Sequence, residues 1–351
     1  MDTLTHALSG ALAARATAPA NARISLTARV TAGFFAAAFP DMDWVLAYVS
    51  PVAYITGHRG VTHSVLLLPL WAGLLAWLCA KIGRGGATWR DYYGVCAIAL
   101  GMHILGDLIT SFGTIVFAPV SDARIAWSTT FIIDLWFTGI IAAGLAATWV
   151  WRRSRVPAVL GLATLAGYVG LQAVLHSRAV DVGADYARRQ GLDGVRVSAV
   201  PRPVSPFNWM IVITERDRYR YANVNLLRER IPPAPRPDAG LIERLDAAYV
   251  PVADARWSSV AKFGESPAQR MLASAVWGAR DLEFFRWFAD YPVLYRIDAG
   301  NPSRCVWFED LRFNTAGREG NPFRFGVCNR DGSHEWTAYR LRDDGTREPA
   351  R

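Results

Sequence analysis

Residues 129–151, TTFIIDLWFTGIIAAGLAATWVW, and residues 156–176, VPAVLGLATLAGYVGLQAVLH, decide the fold. Each is about 20 residues long and almost free of charge, the length an α-helix needs to cross a bilayer. Arg152, Arg153 and Arg155 stand between them. Upstream, residues 62–82 and 92–109 have the same character, which makes four candidate spans. Two shorter apolar segments come first, residues 4–14 and 28–48, and Pro40 is expected to end or kink a helix in the second.

Charge density changes sharply near residue 176. Residues 1–176 carry 11 Arg/Lys, 7 Asp and no Glu, and residues 177–351 carry 27 Arg/Lys and 23 Asp/Glu. The two parts are therefore equally cationic, +4 each, and the net +8 is no concentrated footprint for nucleic acid. The expected architecture is an α-helical membrane domain over 1–176, with four long spans and two shorter N-terminal helices, followed by a smaller α+β extramembrane domain over 177–351. In that second part, residues 239–289 read as helical around Leu241, Leu245 and Tyr249. Residues 195–200, 209–214, 305–313, 323–328 and 335–341 read as strands. Asp331-Gly332 and Gly320-Asn-Pro322 mark turns. No cleavable signal peptide is expected, because Asp2 is the first charge and Arg15 the first cation.

Four of the six histidines fall within the first 103 residues, each in a short polar pattern set in apolar sequence. The patterns are Met1-Asp-Thr-Leu-Thr-His6, Phe39-Pro-Asp41-Met-Asp43, His58-Arg-Gly-Val-Thr-His63-Ser64 and His103-Ile-Leu-Gly-Asp107. Ionisable groups at membrane depth are costly and mark function. His and Asp arriving from separate helices suit a divalent ion, zinc as first choice. His103 and Asp107, four apart, share a helix face. His58 and His63 need a turn to converge, for which Gly60 is the candidate. Arg59 between them suits an anionic oxygen, phosphate above all. Of Asp41 and Asp43, one is expected to ligate, and the other to do the same, act as a base or hold a ligand in place. The expected ligand set is His6, Asp41, Asp43, His58, His63, His103 and Asp107, for one or two ions. Asp2 is either a partner of His6 or a helix cap, and Thr62 and Ser64 read as caps. Asp134 reads as a supporting acid or a partner of Arg124. His176 and His334 stand alone. Cys305 and Cys328 pair if their domain meets an oxidising compartment, whereas Cys79 and Cys96 read as buried thiols.

Basic residues orient the chain. With Arg15, Arg23 and Arg29, then Lys81, Arg84 and Arg90, then Arg152, Arg153 and Arg155 on the cytoplasmic side, every candidate ligand reaches the outer face. The C-terminal domain follows it there.

These four motifs, in this order over residues 1 to about 150, resemble the bacterial membrane-bound metal-dependent hydrolase family of the YdjM type. Pro201-Arg-Pro-Val-Ser-Pro-Phe-Asn-Trp209 resembles the start of an extension carried by part of that family. The resemblance implies a multi-pass protein of the bacterial inner membrane with a metal-dependent hydrolytic site. The order His, Asp, His, His-x-x-x-Asp is also similar to zinc-dependent phospholipase C and P1-type nucleases. The later His and Glu ligands of that group have no counterpart here, so one or two ions are implied rather than three. The expected activity is hydrolysis of a phosphoester in a membrane lipid or lipid-linked substrate by metal-activated water, with Asp41 or Asp43 as base and Arg59 on the substrate anion. A metal or proton transporter, or a membrane protein merely braced by a metal, would use similar residues. A transporter, however, has no reason to gather all of them at one face.

Overall fold

The computed structural model describes every residue except 22, 84, 85, 301, 302 and 331–334, so Arg84, the Asp331-Gly332 turn and His334 lie outside the described residues. The chain forms two compact units, Met1–Trp44 with Gly57–Leu175, and Val45–Thr56 with His176–Arg351.

The first unit is helical. It begins with α1 (Thr3–Ala16) and α2 (Leu26–Ala38), and a 3-10 stretch (Pro40–Tyr48) follows the break at Pro40. Next come α3 (Pro51–Gly57), a short 3-10 turn (Val61–His63), α4 (Leu68–Ile82), α5 (Trp89–Leu108), α6 (Leu135–Val150) and α7 (Val156–Arg189), which continues into the second unit. Asp2 caps α1, its carboxylate accepting from the Thr5 backbone N–H at 3.0 Å. The other end of α1 is closed by Arg29, which donates to the carbonyls of Ala14 at 2.9 Å and Thr17 at 3.1 Å. Arg15 reaches the carbonyls of Arg152 and Ser154. Two arginines that read as plain loop charges therefore bind backbone at one end of the helices.

The core between α1, α2, α4 and α5 is built largely from Ala14, Ala32, Ala36, Ala37, Ala72, Ala76 and Ala99. Small residues of this kind let helix backbones approach closely. The closest approach is at Gly10 and Gly33: a Cβ on Gly33 would lie 2.7 Å from the Gly10 carbonyl oxygen and 2.6 Å from Ala14 Cβ. Gly33→Val is accordingly expected to destabilise this unit by about 1–3 kcal/mol, the usual range for overpacking. A thermal midpoint in detergent unchanged from wild type would show that α1 and α2 separate freely.

Among the described residues, one helix is long and apolar enough to cross a membrane, α7 at 34 residues. Residues Pro51–His63 and Leu68–Ile82 pass the same test together, but they are bent by 77°. The expected span at 62–82 starts late because Ser64 turns aside to donate to the Ala118 carbonyl at 2.6 Å and Pro69 occupies the first turn of α4. The expected span at 129–151 shortens to the 16 residues of α6, because Asp134 caps it by accepting from the Phe137 N–H.

The second unit is β-rich. β1 (Arg196–Pro201), β2 (Asn208–Thr214) and β3 (Arg218–Asn225) form an antiparallel meander, with β4 (Val250–Pro251) and β5 (Ser258–Ala261) added on β3. β6 (Pro292–Ala299), β7 (Ser303–Asp310), β8 (Arg324–Arg330), β9 (Thr337–Leu341) and β10 (Arg347–Pro349) form a second sheet in sequential order. Cys305 and Cys328 face each other across β7 and β8 and are joined as a disulfide. The expected helical middle is three short helices, α8 (Leu241–Ala247), α9 (Pro267–Trp277) and α10 (Glu283–Phe288), with β4 and β5 lying between the first two. Pro251 and Pro267 prevent one continuous helix there. Arg312 is an internal anchor, 2.7 Å from both Asp310 and Asp290.

Candidate metal centre

Four elements of the first unit deliver polar side chains to one buried place. α1 supplies His6, the turn after Pro40 supplies Asp41 and Asp43, residues 58–63 supply His58, Arg59 and His63, and α5 supplies His103 and Asp107. His6, Asp41, His103 and Asp107 each offer a ligand atom within 4.8 Å of the others, and all four are buried. His63 adjoins them, its Nε2 lying 2.9 Å from His103 Nε2, 3.1 Å from Asp107 Oδ2 and 3.8 Å from Asp41 Oδ1.

The outer hydrogen bonds fix the proton positions. His103 Nδ1 lies 2.6 Å from the Ala37 carbonyl oxygen, which can only accept, so Nδ1 carries the proton. The Thr62 hydroxyl donates to Asp43 Oδ2 at 2.9 Å and is also 2.9 Å from His63 Nδ1. Its one hydrogen is committed to Asp43, so it accepts from His63 Nδ1–H. In the neutral rings, both Nε2 atoms therefore present lone pairs to each other at 2.9 Å. Nearby, Asp41 Oδ2 and Asp107 Oδ2 are buried and accept no hydrogen bond. Converging lone pairs without donors are unfavourable on their own and favourable around a cation. Imidazole nitrogen with carboxylate oxygen is a donor set for zinc and its neighbours, so the residues present fit a divalent ion.

Asp43 and His58 lie one layer further out. Asp43 Oδ1 pairs with His58 Nδ1 at 2.6 Å, and Oδ2 accepts from the Arg59 backbone N–H at 3.0 Å and from Thr62. The structure brings the seven sequence candidates together, with Asp43 gripping the loop that carries His58 and His63. Arg59 is 1% exposed and adopts a left-handed backbone, φ 61°, which turns it inward. It pairs with Asp107 at 2.9 Å, donates to Thr110 Oγ1 at 2.8 Å and lies over the Phe112 ring. The strained position is thus Arg59, not Gly60. Gly60 has negative φ and is needed for space, because a Cβ there would lie 2.8 Å from the Gly57 carbonyl oxygen. Asp107 is the hub, since its Oδ1 also meets the Met1 nitrogen at 2.5 Å and His6 Nε2 at 3.0 Å.

Asp2 is a helix cap rather than a partner of His6. Asp134, besides capping α6, accepts from the Tyr168 hydroxyl at 2.8 Å. His176 packs edge-on against Trp209. Sequence reasoning missed the Ala37 carbonyl, which no side-chain motif can announce, and Thr62, which reads as a cap but relays between Asp43 and His63. Thr62→Ala frees the His63 tautomer and is expected to weaken metal binding roughly tenfold, the lower end for loss of an outer partner. Equilibrium dialysis against competing chelator measures it, and unchanged affinity would remove Thr62 from the site.

The chain is 28% identical over 142 residues to the uncharacterized protein YfhP of Bacillus subtilis, an alignment that covers 40% of this chain and 42% of that protein. No solved structure matches significantly. The model of the YdjM inner membrane protein family matches residues 1–179, a stretch that contains every residue of the buried cluster. The chain therefore belongs to the YdjM family, a family of membrane-bound metal-dependent hydrolases.

Proposed function

We propose that this protein hydrolyses a phosphoester in a membrane lipid or lipid-linked substrate at the outer face of the bacterial inner membrane, using one or two divalent ions, zinc first. The observation that carries this reading is the convergence, in one buried place, of two imidazole Nε2 atoms 2.9 Å apart and two buried carboxylate oxygens without a hydrogen-bond partner. His6, His63, His103, Asp41 and Asp107 would hold the ion, with Asp43 and His58 bracing them or holding a second. When bound, such an ion makes hydroxide available from water at neutral pH. A spare carboxylate oxygen, of Asp41 or Asp43, would orient that water or accept its proton. The buried Arg59 is paired with Asp107, and its Nε–H, which has no hydrogen-bond partner, would donate to an anionic substrate oxygen.

We count α5 and α6 as further membrane spans beside α7 and the bent pair. Arg15 joins its helix end to the 152–154 loop, which supports basic loops gathered at one side and ligands at the other. The Cys305–Cys328 disulfide supports an extracytoplasmic second domain. The experiment is elemental analysis of detergent-purified protein followed by turnover of bis(p-nitrophenyl) phosphate and a phospholipid panel. The expected result is bound metal and chelator-sensitive hydrolysis. Stoichiometric metal with no turnover, together with metal flux in proteoliposomes, would overturn the enzyme reading in favour of transport.

A further inference from the structure

A cavity of about 360 Å³ lies beside the cluster, within the first unit. Its walls are Leu105, Ile109, Phe137, Leu162, Leu165 and Val169. It touches the cluster itself, since His6 and Gly106 line it. A Cβ on Gly106 would stand 3.0 Å from His6 Cε1, so the absence of a side chain there leaves the His6 ring as the wall shared by slot and cluster. The polar groups along the slot are already engaged. The Ser9 hydroxyl donates to the His6 carbonyl at 2.7 Å, and His6 Nε2 faces Asp107.

Water is held in such a space only where polar groups anchor it. The lining offers almost none. Trp127, 51% exposed, also lines the slot, and tryptophan favours places where apolar surroundings meet wet ones. We propose that this slot holds one alkyl chain of a phospholipid-like substrate and so fixes the depth at which its head group meets the His/Asp cluster. This rests on the reading of that cluster as the reacting centre. Lipid tails are as apolar as the lining, so the slot selects by shape and position rather than by hydrophobic drive.

The test uses the full chain, metal-loaded, in nanodiscs doped with phosphatidic acid that carries a diazirine midway along one acyl chain. Irradiation and peptide mass spectrometry are expected to place adducts on residues 102–109 and 162–169. Ala166→Phe and Leu162→Phe narrow the slot without touching a candidate ligand. Each is expected to cut those adducts about tenfold, with metal content and turnover of water-soluble bis(p-nitrophenyl) phosphate unchanged. Adducts spread evenly over the helices, or undiminished in both metal-retaining variants, would overturn the proposal. Loss of all hydrolysis with the adduct pattern intact would instead count against the enzymatic reading and leave the slot as a lipid site.

Discussion

Asp107→Asn is expected to reduce bound metal in purified protein to background and to destabilise the fold at the same time. The carboxylate offers its Oδ2 to the cluster while its Oδ1 neutralises Arg59, which is buried and 2.9 Å away. The amide keeps the shape and loses the charge. Arg59 is then a buried cation without its counter-ion, a situation that typically costs about 3–5 kcal/mol. Elemental analysis and thermal melting of the same preparation give both readouts. A variant that kept its full metal content would remove Asp107 from the ligand set. A variant that lost metal but kept its melting temperature would show that Arg59 finds another partner.

Asp41→Asn and Asp43→Asn are expected to separate the two layers of the site. Asp41 presents a buried oxygen with no donor, so its loss should cost a ligand and nearly all metal binding. Asp43 holds His58, the Arg59 N–H and Thr62. Losing its charge should loosen the loop and weaken metal affinity by about 10–100-fold, the range for an outer carboxylate. Titration of the apo-protein with zinc against a chromophoric chelator measures both. Equal losses in the two variants would place Asp43 among the direct ligands and favour a second ion near His58.

Much of the site is legible in the sequence, because its residues are rare types in an apolar background. His103 and Asp107 announce a shared helix face by spacing alone, and Pro40 announces the turn that carries Asp41 and Asp43. What the sequence hides is carried by backbone atoms and by conformation. The Ala37 carbonyl that orients His103 has no signature, and the left-handed residue is an arginine beside a glycine that looks the better candidate. The helix ends were also hidden: Asp134, an acid inside an apolar run, caps α6 and shortens it. β3 was missed because Arg218, Arg220 and Asn223 break its apolar content, although Tyr219, Ala222 and Val224 are buried. Local composition there gives way to pairing with β2 and β5.

The near-contact of Gly10 and Gly33 reaches further than the stability of one helix pair. His6 stands one turn before the first glycine, and Ala37, whose carbonyl orients His103, stands one turn after the second. Two missing methyl groups therefore set the gauge between opposite walls of the cluster. Saturation mutagenesis of α1 and α2 should find Gly10 and Gly33 the least tolerant positions, with Ala14 and Ala37, whose methyl groups already fill the space beside them, close behind, and metal loading falling together with stability.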